Sequence, residues 1–171
     1  MREPQAARDA FRGRFLRVDV EEWPDLGTYE VVRQHDAAAV LPITPDDQVL
    51  LVQQLRPPIR DRIVEIPAGL LDVEGEDALT CAARELLEET GFRHAAITFL
   101  GGVFVSPGSS NQYVHLFVAR TRAERAAEPE AGIEVLVRPL GEMVAAARAG
   151  RVRDAKTALA LLMAEGRVPP V

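Results

Sequence analysis

Three glutamates, Glu85, Glu88 and Glu89, stand at i, i+3 and i+4 in the stretch DALTCAARELLEETGF, residues 77 to 92. The stretch predicts a helix from Asp77 to Phe92. Gly91 closes it, because glycine takes the left-handed backbone that ends a helix. With Glu85 at zero and about 100° per residue, Glu88 falls near −60° and Glu89 near +40°, an arc of roughly 100°. Like charges at that spacing repel and weaken a helix by a few tenths of a kcal/mol per pair. Two readings are open on spacing alone. One is a solvated acidic face. The other is a divalent-cation site: Mg²⁺ takes carboxylate oxygens, keeps waters that phosphates can replace, and relieves the repulsion. Leu79, Ala83, Leu86 and Leu87 fall between about 100° and 200° on the same wheel and form the expected core face. Ala78, Cys81 and Ala82 lie on the carboxylate side, one to two turns earlier. They are small, so room is expected above that face.

The rest of the chain must position this helix. Residues 1–12 are polar and are expected to be mobile at the start. Leu16, Val18 and Val20 alternate with Arg17, Asp19 and Glu21, the period of a half-buried strand. A turn at Trp23–Gly27 returns the chain through Thr28–Arg33, so the pair predicts a hairpin. Ala37–Ile43 is apolar throughout and reads as a buried strand, followed by a turn at residues 44–47 and a strand at Val49–Gln54. Pro57-Pro58 forces an irregular link, and a short strand at Ile63–Ile66 ends at Pro67-Ala68-Gly69. Further strands are expected at Ala96–Val105, Tyr113–Ala119 and Ile133–Arg138. Two helices close the chain, Pro139–Ala149 and Asp154–Glu165, stopped by Gly150 and Gly166. Strands with interspersed helices point to a layered α/β or α+β domain.

Composition narrows the function classes. The chain has 171 residues, 47% apolar and 27% charged, with net charge −6. One domain with a sizeable core is expected, and a large nucleic-acid footprint is not. The single cysteine, Cys81, excludes an intrachain disulfide and suits a reducing cytosol. No signal peptide and no membrane-spanning run is evident, so a cytoplasmic protein is expected.

The context from Gly69, GLLDVEGEDALTCAARELLEETGF, resembles the Nudix box, GX5EX7REUXEEXGU with U aliphatic. The match is Arg84-Glu85-Leu86, Glu88-Glu89 and Gly91-Phe92, with Glu76 eight residues before Arg84. One departure stands in it: Gly69 to Glu76 holds six intervening residues, one more than the pattern. The extra residue falls in the loop before the helix, where an insertion is most easily absorbed. Outside the box, VLLVQQLR (49–56), EIPAG (65–69), Ser106-Pro107-Gly108 and Asp154-Ala155-Lys156-Thr157 resemble the ADP-ribose pyrophosphatase branch of the family.

The resemblance implies an α/β/α sandwich around a mixed sheet, preceded by the N-terminal β-hairpin. It divides the chain into a hairpin segment, 1–34, in dimer contact, and a Nudix hydrolase domain, 35–171. It implies Mg²⁺- or Mn²⁺-dependent hydrolysis of the pyrophosphate bond of a nucleoside diphosphate derivative, ADP-ribose or a related nucleotide sugar. Glu85, Glu88 and Glu89 match the metal ligands, with the carbonyl of Ala68 as a backbone ligand. Arg84 matches the box arginine and would fix a glutamate's rotamer, Glu88 at i+4 being the geometric candidate. Glu76 would brace the loop or touch metal. Arg56 matches an arginine that contacts substrate phosphates. Glu65 would contact the nucleotide's polar edge or face water at a strand edge. Members of the branch are commonly homodimers whose N-terminal strands contribute to the partner's site.

Gln112 is the departure with chemical consequence. In the branch, the loop near this position usually carries an acidic residue, whereas residues 95–119 here contain no carboxylate. Gln112 can orient a water or a ligand but cannot take a proton. The base then comes from Glu128, Glu130, Glu134 or a box glutamate, or the metals do most of the activation. Two other readings stay open: a Nudix hydrolase for another nucleotide, a triphosphate or dinucleotide, and a Nudix module that senses a nucleotide without cleaving it.

Overall fold

The structure is a computed structural model that describes residues 3–170. It contains two sheets. The first is antiparallel, ordered β1 (Ala6–Arg12), β2 (Leu16–Trp23) and β3 (Gly27–Gln34). The expected hairpin is β2–β3, in register from Leu16↔Gln34 to Trp23↔Gly27. The expectation for residues 1–12 needs correcting, because Ala6–Arg12 adds a third strand along β2. Every residue of β1 is exposed, so backbone pairing and an Asp9–Arg17 ion pair hold it and no apolar alternation betrays it.

The second sheet is mixed and has seven strands. Its order is β10 (Glu134–Pro139), β5 (Gln48–Arg56), β4 (Ala37–Ile43), β9 (Tyr113–Arg125) and β8 (Phe92–Phe104). β4 and β9 run parallel in the middle. β4 meets β5 only at Ile43↔Val49. Beyond that point the two strands separate, and two short strands fill the fork. β6 (Asp61–Glu65) pairs with β5, and β7 (Ala68–Leu70) pairs with the start of β4. The Pro67-Ala68-Gly69 segment, expected to end the Ile63–Ile66 strand, crosses the fork and enters a new one.

β4 is apolar throughout because both its faces are covered. Ala39, Leu41 and Ile43 share one core with α2 (Leu140–Arg148) and α3 (Ala155–Met163). Ala38 and Val40 share another with Cys81, Ala82 and Leu86 of α1 (Ala78–Thr90). The result is the expected α/β/α sandwich.

α1 begins where Asp77 accepts from the Thr80 N–H at 2.7 Å, and ends at Gly91 with φ +79°. Its rotation differs from the wheel reading. The buried positions include Cys81, Ala82, Leu86 and Glu89, whereas Leu79 is 45% exposed. The small residues do not leave open space; they let the helix settle onto Ala38 and Val40. The carboxylate arc thus lies at the edge of the buried face. Among the described residues no helix is long and apolar enough to cross a membrane.

Candidate active site

Arg84 organises the acidic cluster. Its Nε and Nη2 donate to the two oxygens of Glu76 at 2.8 and 2.9 Å, a bidentate pair. Its Nη1 donates to Glu85 at 2.5 Å and to Glu88 at 2.9 Å. The i+4 pair with Glu88 is present, but Glu76 and Glu85 share the same guanidinium. Glu76 has both oxygens on Arg84, which makes it a brace between the loop and the helix. The additional loop residue does not prevent this pairing. Hydrogen bonding from Arg84 holds the Glu76 carboxyl below the usual carboxylate range.

Glu85 presses against Gly69. A Cβ at Gly69 would stand 1.9 Å from its Oε1, so only glycine admits the carboxylate there. Burial pushes the Glu85 carboxyl upward, against the pull of Arg84. Glu89 is 7% exposed. It accepts from the Ala68 N–H at 3.1 Å and from Gln54 Nε2 at 3.5 Å. Burial first, then the charge of Glu85, pushes its carboxyl up to about 7; the Ala68 N–H opposes the shift. Cys81 is buried beneath this group, and burial pushes its thiol up to about 12. An un-ionised thiol is a small filler and no nucleophile.

Glu85 and Glu88 are turned onto Arg84, and Glu89 onto Ala68. Among the described residues no three acidic, histidine or cysteine side chains converge closely enough to hold a metal as they stand. The donor chemistry nevertheless fits a hard divalent cation. Three carboxylates, Glu76, Glu85 and Glu88, share one guanidinium, and Glu89 lies beside them on the same helical arc as Glu85 and Glu88.

Arg56 and Glu65 meet across the β5–β6 pair, with Arg56 Nε on Glu65 Oε2 at 2.7 Å. Glu65 is neither at a wet edge nor free for a nucleotide's edge. It is buried, and its other oxygen accepts from Lys156 Nζ at 2.7 Å. Arg56 lies near enough to Glu89 to favour its ionised form. Gln112 does not join the carboxylates: its side chain donates to the His35 carbonyl at 3.1 Å. Of the three alternative carboxylates, Glu130 approaches the cluster. Its N–H donates to the Glu88 carbonyl at 2.9 Å, and its charge acts on Glu85. Glu128 instead pairs with Arg125 at 3.6 Å, and Glu134 lies 3.8 Å from Arg62.

The sequence reading missed Lys156 and Thr157 as parts of this neighbourhood. Asp154 caps α3 by accepting from the Thr157 N–H at 2.9 Å. The Thr157 hydroxyl accepts from the Ile66 N–H at 2.8 Å. The available signal was Asp154-Ala155-Lys156-Thr157 itself, which holds the chain's one lysine.

Comparison with known proteins identifies the family. The profile described as the NUDIX domain matches residues 33–161. A methanol dehydrogenase activator from Bacillus methanolicus is 35% identical over 159 residues, covering 88% of this chain and 85% of that protein. An ADP-ribose pyrophosphatase from Bacillus subtilis is 34% identical over 164 residues, covering 91% and 88%. A crystal structure of an ADP compounds hydrolase superposes with a TM-score of 0.75 at 22% identity, covering 96% of this chain and 92% of that one. The chain belongs to the Nudix family.

Proposed function

We propose that the protein is a divalent-metal-dependent pyrophosphohydrolase acting on ADP-ribose or a related nucleotide sugar. The observation that carries this reading is the sharing of one arginine by Glu76, Glu85 and Glu88 with the buried Glu89 beside them on Ala68, which leaves an acidic excess where Ala68 and Gly69 cross the fork. Glu85, Glu88, Glu89 and the Ala68 carbonyl would hold Mg²⁺ or Mn²⁺. When bound, the cations neutralise the diphosphate and promote ionisation of water. Arg84 keeps Glu85 and Glu88 in place through its own hydrogen bonds. Arg56 grips a phosphate with the guanidinium nitrogens that Glu65 leaves free. Glu130 takes the proton of the attacking water. Water oxygen adds to one phosphorus, the bridging P–O bond breaks, and a nucleoside monophosphate and a sugar phosphate leave.

The N-terminal sheet supports a homodimer. Phe11, Phe15, Leu26 and Tyr29 are exposed along it, Phe11 and Tyr29 on opposite faces by register, and a small three-stranded sheet gains stability by burying such residues. We place Phe15–Arg33 across the partner's substrate site and the enzyme in the cytoplasm, where the buried thiol of Cys81 stays reduced. A monomer in light scattering at micromolar protein, with full activity, would rule the dimer out.

The relative named as a dehydrogenase activator favours a second reading, in which the chain senses a nucleotide without cleaving it and acts on another protein. One panel separates the two: ADP-ribose, ADP-glucose, GDP-mannose, a dinucleotide and ATP, each with Mg²⁺ and with Mn²⁺, with products identified by mass. Cleavage of a nucleotide sugar to two phosphomonoesters is expected. Binding without cleavage across the panel would favour the sensing role.

A further inference from the structure

Cations and anions alternate along one chain of contacts, Arg56, Glu65, Lys156 and Asp154. Lys156 Nζ donates to Glu65 at 2.7 Å and to Asp154 Oδ1 at 2.9 Å. Glu65 passes the link to Arg56 Nε at 2.7 Å. The side chains of Lys156 and Glu65 are only 15% and 6% exposed.

Two features set Lys156 apart from ordinary surface charge. It is the single lysine among 20 basic residues, the other 19 being arginine. It also stands in the first turn of α3, where aligned peptide dipoles disfavour a cation. A compact ammonium can touch two acceptors at once, whereas a planar guanidinium demands a fork-shaped partner. Glu65 and Asp154 converge on a point and do not present a fork.

The consequence falls on Arg56. With Lys156 on one oxygen, Glu65 engages Arg56 through Nε alone, and the outer guanidinium nitrogens are left to face other groups. A buried carboxylate deprived of one cation recruits the other more fully. Without Lys156, Arg56 would turn side-on to Glu65 and withdraw part of its fork. We propose that Lys156 is a positioning residue: through Glu65 it holds Arg56 with its fork presented to the substrate's diphosphate, and so sets substrate affinity. This rests on the phosphate-gripping role of Arg56 in the proposed function.

The test is steady-state kinetics on ADP-ribose, or on whichever panel member turns over fastest. Lys156→Met is expected to raise KM about tenfold, the scale of one charge-assisted hydrogen bond, while kcat changes less than about threefold. Lys156→Arg should recover part of the loss by restoring charge. Arg56→Ala should raise KM at least as much, and adding Lys156→Met to it should have no further effect, since the two act through one contact. An unchanged KM in Lys156→Met, whatever its melting temperature, would overturn the proposal, and so would multiplicative effects in the double variant. Should Lys156→Met fail to fold, Glu65→Gln carries the same expectation, and an unchanged KM there counts against it equally. If Arg56→Ala itself leaves KM unaltered, the assignment of Arg56 fails and takes the positioning role with it. An inert Lys156→Met beside a damaged Arg56→Ala sinks the positioning role alone.

Discussion

The crossing between β6 and β7 is held from opposite faces of the sheet by two helices built alike. α1 and α3 each start with an aspartate that accepts from the N–H three residues on, Asp77 from Thr80 and Asp154 from Thr157. Each then satisfies one backbone N–H of the crossing, as buried donors require. α3 does so with the Thr157 hydroxyl on Ile66, and α1 does so with the Glu89 carboxylate on Ala68. A fully buried hydroxyl meets that need at any ordinary pH. A buried carboxyl pushed up to about 7 meets it with a group whose charged form sits in a poor environment. The same local task is therefore done by a neutral group where only structure is asked. It is done by an ionisable one on the side where we propose the cation site.

The contrast can be broken from either side. The largest effect should come from chelation: excess EDTA abolishes turnover, and added Mg²⁺ or Mn²⁺ restores it, with far-UV circular dichroism unchanged throughout. Next is the base. Glu130→Gln should lower kcat about 10²-fold or more, whereas Gln112→Ala stays within about tenfold. A collapse in Gln112→Ala would return the base to that loop. On the α3 side, Thr157→Val leaves the Ile66 N–H without its acceptor and should cost about 1–3 kcal/mol in denaturant unfolding. The cation requirement should not change in that variant.

The smallest effect concerns Glu76, whose carboxyl Arg84 holds below the usual range. A lowered folded-state pKa gives stability that is present above the ordinary carboxylate range and is lost as pH falls through the lowered value. Melting temperature followed from neutral into acid should therefore fall less steeply in Glu76→Gln than in the parent. An identical acid limb would show that the bidentate pair contributes nothing to stability.

α1, its caps and most strands could be read in the sequence because each leaves a local pattern. Asp77, Gly91 and the Glu85–Glu88–Glu89 arc lie within one short stretch. The helix's rotation could be read only in part: Leu86 is buried as the wheel expects, but the wheel also turned Leu79 inward. Leu79 is exposed, and Cys81 and Ala82 are buried because small residues bring α1 close to Ala38 and Val40. β1 is hidden by its polar composition, and β7 by its length of three residues. The partners of Glu65 were hidden for another reason: Lys156 reaches it across 91 residues, a contact with no local trace.

The central claim is that the α1 carboxylates hold the cation that drives hydrolysis, and Glu89→Gln tests it most directly. A glutamine can still accept from the Ala68 N–H, so the fold should survive while a charged ligand is lost. Turnover of the best panel substrate, measured across a Mg²⁺ and a Mn²⁺ titration, is expected to fall by orders of magnitude and not to recover at saturating cation. Full activity in Glu89→Gln, with its cation dependence unchanged, would contradict the account.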